Sequence, residues 1–143
     1  MSITTERFHK SYLLVTAIVV GSFGPVFFLA TMKSGSDLAR WTLNILNGPG
    51  GDAENFAAGT TRFLSALTGG FLFGWGVMIF CLRAWVYDAA PEGVRRCVVT
   101  GLVAWCLLDS AGSIASGTPW NAFFNVIVLL VGVGPMWRPA TIP

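Results

Sequence analysis

Four polar side chains stand out in an otherwise apolar stretch near the C-terminus: Asp109 and Ser113, then Asn121 and Asn125. Within each pair the members are four residues apart, a spacing that places both on one face of an α-helix. Between the pairs lies Gly117-Thr118-Pro119, a breaker so short that the flanking helices must be antiparallel neighbours. Folding the chain about Gly117 sets Asp109 level with Asn125 and Ser113 level with Asn121. The spacing therefore predicts a ladder of hydrogen bonds across the hairpin. Burial disfavours a charged carboxyl, so Asp109 is expected to be protonated and to donate to an Asn carbonyl. Such a ladder serves either as a satisfied polar zipper that pins two helices or as a polar pocket for a small molecule or a proton.

Trp105 lies four residues before Asp109, on the same helix face, and Trp75 falls at a similar depth in the preceding apolar run. Together they are expected to form an aromatic floor under the polar cluster, which argues for a pocket open to one side and against a continuous pore. Other chemistry lacks its residues. The single histidine, His9, falls in the N-terminal tail, so no bis-histidine haem or His-rich metal centre is expected within one chain. Cys81, Cys97 and Cys106 form no C-x-x-C and read as reduced, small hydrophobic residues. No P-loop, G-x-S-x-G or H-E-x-x-H occurs. No metal or cofactor is therefore expected, and Asp109 alone cannot supply an acid/base pair.

The elements that carry these residues follow from composition. Hydrophobic residues make up 54% of the chain and charged residues 11%, whereas a soluble domain carries about 25% charged residues. With a mean hydropathy of +0.66, the main solvent is lipid. The net charge of +2 gives no reason to expect nucleic acid as a partner. The charges cluster, and the runs between clusters, 11–32, 63–82, 97–116 and 120–137, are each about 20 residues long, enough to cross a hydrocarbon core. The fold class is thus all-α: an integral membrane four-helix bundle, one domain over 1–143. The first run exceeds a signal-peptide core and lacks an A-x-A site, so it is expected to remain on the protein, with Gly24-Pro25 kinking it.

Lys and Arg set the orientation. Arg7, Lys10, Arg83, Arg95, Arg96 and Arg138 fall on one side, and Lys33, Arg40 and Arg62 on the other, which places both termini in the cytoplasm. Tyr12, Trp85, Tyr87 and Trp137 would anchor the inner interface, and Trp41 and Trp120 the outer. In the first outer loop, Ser36 is a candidate cap. Leu38, Trp41 and Ile45 then follow at i, i+3 and i+7 before Gly48-Pro49-Gly50. This predicts an amphipathic interfacial helix over about 37–47, lying on the membrane surface or capping the bundle as a connector or a lid. Asp52 is expected to start a further helix leading into the second span. In that span Ala66, Gly70 and Gly74 recur every fourth residue, a small-residue stripe suited to packing within the bundle or to dimerisation.

The run DSAGSIASGTPWNAFFN, together with GGFLFGWG in the second span, resembles small bacterial four-helix membrane proteins of unknown function, the BphX-like and DoxX-like proteins. Asp109, Ser113, Asn121 and Asn125 carry the resemblance, and the family supplies no role for them. It implies a bacterial inner-membrane bundle and, from the DoxX-like side, a place in a larger respiratory or redox membrane complex. The expected partners are the lipid bilayer and either a second copy of the chain or such a complex. Two functions remain open. One is a non-enzymatic accessory or small-molecule-binding protein built round the polar hairpin. The other is a proton-linked transporter subunit that uses Asp109 as its protonation site.

Overall fold

The computed structural model describes residues 5–32, 35–49 and 56–141, and these are helical almost throughout. Helix α1 covers Glu6–Leu29, α2 Ser36–Asn47, α3 Gly59–Cys81, α4 Pro91–Ala115 and α5 Pro119–Val133. A wider π-type turn, Leu82–Val86, extends α3, and a tighter 3-10 turn, Gly134–Trp137, extends α5. With these extensions, the four longer helices are each long and apolar enough to cross a membrane. They begin before the apolar runs because helical hydrogen bonding tolerates charges that lipid does not. Arg7 and Lys10 lie within α1, and Arg95 and Arg96 within α4. Local chemistry sets the ends. The Thr5 hydroxyl caps α1 by accepting from the Phe8 N–H at 3.3 Å. Pro91 and Pro119 open α4 and α5, where their missing N–H costs nothing. α1 continues as one helix through Pro25.

The helices associate as two tight pairs, α1 with α3 and α4 with α5. In the first pair, glycines let backbones touch. A β-carbon on Gly76 would lie 2.6 Å from Gly21 Cα, and one on Gly69 would lie 2.8 Å from the Gly24 carbonyl oxygen. Beside them, buried Ser65 donates to the Phe27 carbonyl at 2.8 Å, satisfying an acceptor at the end of α1. The contact face of α3 is therefore Ser65, Gly69, Leu72, Gly76 and Ile79. The stripe Ala66, Gly70 and Gly74 is rotated off it. Gly70 and Gly74 are exposed and would meet no atom of the chain within 4 Å of an added β-carbon. A strict four-residue repeat drifts round a helix of 3.6 residues per turn, so a contact face follows i, i+4, i+7 and i+11 instead.

At the end that carries both termini, the two pairs share one apolar core that includes Leu13, Ile79, Val94, Leu102 and Met136. Thr16 of α1 donates to the Gly132 carbonyl of α5 at 2.9 Å, and the Tyr12 hydroxyl donates to the neighbouring Val131 carbonyl. At the opposite end a second cluster, Phe27, Ala30, Ala39 and Phe56, joins α1, α2 and the approach to α3. The space between the clusters is where the pairs diverge.

Tyr87, in the connection before α4, is 2% exposed and donates from its hydroxyl to the Glu6 carbonyl at 3.0 Å. Burial, reinforced by the carboxylates of Glu6, Asp88 and Glu92, pushes its phenol up to about 12 from 10.0. The fold therefore favours the neutral phenol. This stabilisation is complete below pH 10.0 and is lost as pH rises towards about 12. Melting curves of the wild type should fall across that window, and those of Tyr87→Phe should fall less. Parallel decline of the two proteins would contradict the assignment.

Candidate functional site

The α4/α5 hairpin is closed by local bonds. Gly117 adopts φ +83°, a left-handed geometry that favours glycine. The hydroxyls of Ser116 and Thr118 both donate to the Ser113 carbonyl, at 3.0 and 3.1 Å. With the turn fixed, α4 and α5 run back along each other and the polar side chains meet. Asn121 Nδ2 donates to Asp109 Oδ2 at 2.9 Å and to Ser113 Oγ at 2.7 Å. Asn125 Nδ2 donates to Asp109 Oδ2 at 2.6 Å and to Ser110 Oγ at 3.2 Å. Asn125 is 4% exposed and Ser113 8%.

In one respect the arrangement differs from the sequence expectation. Asp109 accepts from both carboxamides and donates to neither, because the two Asn side chains turn their nitrogens towards it. One oxygen of Asp109 thus gathers two hydrogen bonds. Ser110 was not foreseen. It lies next to Asp109 and shares the flank facing Asn125, a position that counting in steps of four passes over.

Beside the ladder, the diverging helix pairs enclose a cavity of about 360 Å³. Asp109, Asn121 and Asn125 form a polar wall, Thr68 and Thr118 add hydroxyls, and apolar side chains including Phe23, Leu72 and Phe124 line most of the rest. Trp75 and Trp105 also line it, their ring centroids 6.1 Å apart and their planes inclined at 62°, an edge-to-face pair bridging α3 and α4. Leu43, Leu46 and Asn47 of α2 face the same space. Asp109 additionally borders a second, open groove along α4, with Trp105, Leu108, Gly112, Ser113 and Ser116.

α2 reaches this position by a face other than the anticipated one. Ala39 is fully buried and Leu43 and Leu46 are half-buried, whereas Leu38, Trp41 and Ile45 are 48%, 63% and 39% exposed. The helix thus has two apolar faces, one seated on α1 and α5 and one turned outward. Gly35 occupies the N-cap position and Ser36 the first helical turn. Gly48 ends α2 at φ +77°, its backbone against the Trp120 indole. Lys33, Gly50 and Asp52, to which sequence roles were also given, lie outside the described residues.

Among the described residues, the other paired charges lie away from the site. The ion pairs Lys10–Asp88, Arg40–Asp37 and Glu92 with Arg95 and Arg96 all lie near helix ends, and none includes Asp109. Among the described residues no three His, Cys, Asp or Glu side chains come together as a metal site would require. His9 is not in a free tail: it lies in the second turn of α1, 1% exposed. The constellation is one carboxylate, two carboxamides and two hydroxyls against aromatic rings. Such a set is suited to binding by hydrogen bonds and charge.

Neither a protein-family model, nor a curated protein, nor a solved structure matches the chain. The geometry of the site alone bears on function.

Proposed function

We propose that the chain is a non-enzymatic, multi-pass membrane protein that holds a small amphiphilic molecule between its two helix pairs. The observation that carries this is the cavity with Asp109, Asn121 and Asn125 on one wall and Trp75 and Trp105 on another. At about 360 Å³ it lies at the small end of the range for ligand sites, about 300–1,000 Å³. Its mixture of a few convergent polar groups in an apolar chamber is the usual anatomy of such sites. A zipper that only pinned a hairpin would not need aromatic walls contributed by another helix pair. Lipid as the surrounding solvent is supported by exposed apolar side chains on every long helix, among them Ile18, Phe71, Leu108 and Leu130. The outward face of α2 would then rest in the headgroup region opposite the termini. The Lys and Arg distribution supports cytoplasmic termini, and the BphX-like and DoxX-like resemblance supports a bacterial inner membrane.

Binding is tested with a neutral aromatic probe, 2-phenylethanol, and protein in nanodiscs whose Trp41, Trp85, Trp120 and Trp137 are replaced by Phe. The remaining emission comes from Trp75 and Trp105. A saturable change is expected, weakened about tenfold, or about 1.4 kcal/mol, by Val128→Phe, which puts a ring into the cavity. A linear response that Val128→Phe leaves unaltered would contradict the proposal.

A second reading, a proton-linked transporter subunit, is favoured by the contact of Asp109 with both the cavity and the open groove. A carboxyl reachable from two sides meets one requirement of a carrier. Proton flux in liposomes that vanishes in Asp109→Asn with folding unchanged would establish it. Absence of flux in the wild type would leave the binding protein.

A further inference from the structure

Taking the cavity as a ligand site, we infer that its ligand is a protonated primary amine with an aromatic or branched apolar body, its ammonium group held by Asp109. Hydrogen-bond accounting points this way. Each Asn carboxamide has two N–H groups, and both side chains spend them inside the ladder, on Asp109 with Ser113 or on Asp109 with Ser110. Asp109 Oδ2 accepts two of these bonds, while no donor among the described residues reaches Oδ1 or either carboxamide oxygen. The carboxyl and carboxamide groups of the ladder therefore have only acceptors left to offer, and a molecule bound against them must bring donors.

Charge narrows the class further. Among the described residues no cationic side chain lines the cavity, and Asp109 belongs to none of their ion pairs. A carboxyl group in a low-dielectric chamber favours a ligand that brings a positive charge, because the two pair as a hydrogen-bonded couple there. Anionic ligands are disfavoured for the same reason. A small divalent cation would need several oxygen ligands and retained water, and among the described lining residues only one carboxyl group is present. An ammonium meets both needs at once, with N–H donors for the three acceptors and a positive charge for Asp109. The indole rings of Trp75 and Trp105 add faces that attract a cation and stack with an aromatic body. The open groove along Leu108, Gly112 and Ser116 gives the same carboxylate a lateral approach from the bilayer.

The test compares 2-phenylethylammonium with 2-phenylethanol, which has the same apolar body and a neutral head. Both are titrated into the Trp75/Trp105 reporter protein in zwitterionic nanodiscs at neutral pH, with empty nanodiscs as the partition control. The ammonium is expected to bind about tenfold more tightly, and Asp109→Asn to reduce that preference to about twofold or less. The comparison in unmutated Asp109 protein stands without the variant, so a folding defect in Asp109→Asn does not remove the test. Equal or tighter binding of the alcohol overturns the amine assignment while leaving the cavity as a ligand site. Saturable binding of neither probe overturns both.

Discussion

Asp109→Leu is expected to lower the stability of the purified protein by about 2 kcal/mol, and Asp109→Asn by less than about 1 kcal/mol. The difference follows from what each variant leaves behind. Leucine removes the acceptor shared by Asn121 and Asn125, whose Nδ2 atoms lie 2.9 and 2.6 Å from Asp109 Oδ2. Two interhelical hydrogen bonds in a membrane protein are together worth only about 1 kcal/mol. Asn125, however, is 4% exposed, and a buried donor left without its partner costs about 1–3 kcal/mol by itself. Orphaning that donor thus costs more than losing the two bonds. Asparagine keeps the shape of the side chain and a carbonyl oxygen to accept both bonds. The checking measurement is reversible unfolding in mixed micelles followed by tryptophan emission. A leucine variant as stable as the wild type would mean that the ladder contributes no net stability to the hairpin.

The second large effect concerns α1 and α3. Gly76→Leu is expected to destabilise by more than about 3 kcal/mol or to abolish folded yield, because the new β-carbon would lie 2.6 Å from Gly21 Cα and 2.8 Å from the Ala17 carbonyl oxygen. These are backbone atoms of a packed helix, and relief requires the pair to separate along its length. Gly70→Leu, six residues earlier on the same helix, would meet nothing and should change stability by less than about 0.5 kcal/mol. The pair of variants tells a face used within the chain from one turned outward. Comparing the native mass of Gly70→Leu with that of the wild type then asks whether the outward glycines hold a second copy. An unaltered mass removes that role.

Much of the helical architecture was legible because segments long and apolar enough to span lipid declare themselves by length and by the spacing of charges. The hairpin was legible for a different reason: three turn residues fix a register, and the register converts sequence positions into facing pairs. That arithmetic brought Asp109 to Asn125 and Ser113 to Asn121. It did not foresee that Asn121 would also reach Asp109, or that Ser110 would take part, since long side chains span neighbouring rungs. The direction of the bonds is opposite to that expected. Reasoning from the cost of a buried carboxylate made Asp109 a donor, whereas two carboxamides with four N–H groups between them supply donors in excess.

Helix faces were harder to read where two were apolar. On α2, Leu38, Trp41 and Ile45 formed the more conspicuous stripe, yet the smaller Ala39, with Leu43 and Leu46, packs on the bundle. On α3, four glycines and an alanine gave competing stripes, and only the identity of the facing helix decides between them. The cavity itself was beyond sequence reasoning. It arises where α1/α3 and α4/α5 diverge, and no local pattern records that distance. The closeness of Trp75 and Trp105 was suggested by their matching depths, but the chamber they line with Phe23 and Leu72 depends on how the two pairs are tied at the end holding the termini.

Residue-resolved NMR tests the binding site most directly. The six tryptophans give six indole N–H resonances, and two of these residues, Trp75 and Trp105, line the cavity. Titration with 2-phenylethanol in nanodiscs should shift those two resonances to saturation while Trp85 and Trp137, 78% and 65% exposed at the opposite end, stay nearly still. Shifts confined to Trp85 and Trp137, or equal and unsaturable across all six, would contradict a ligand site between the helix pairs.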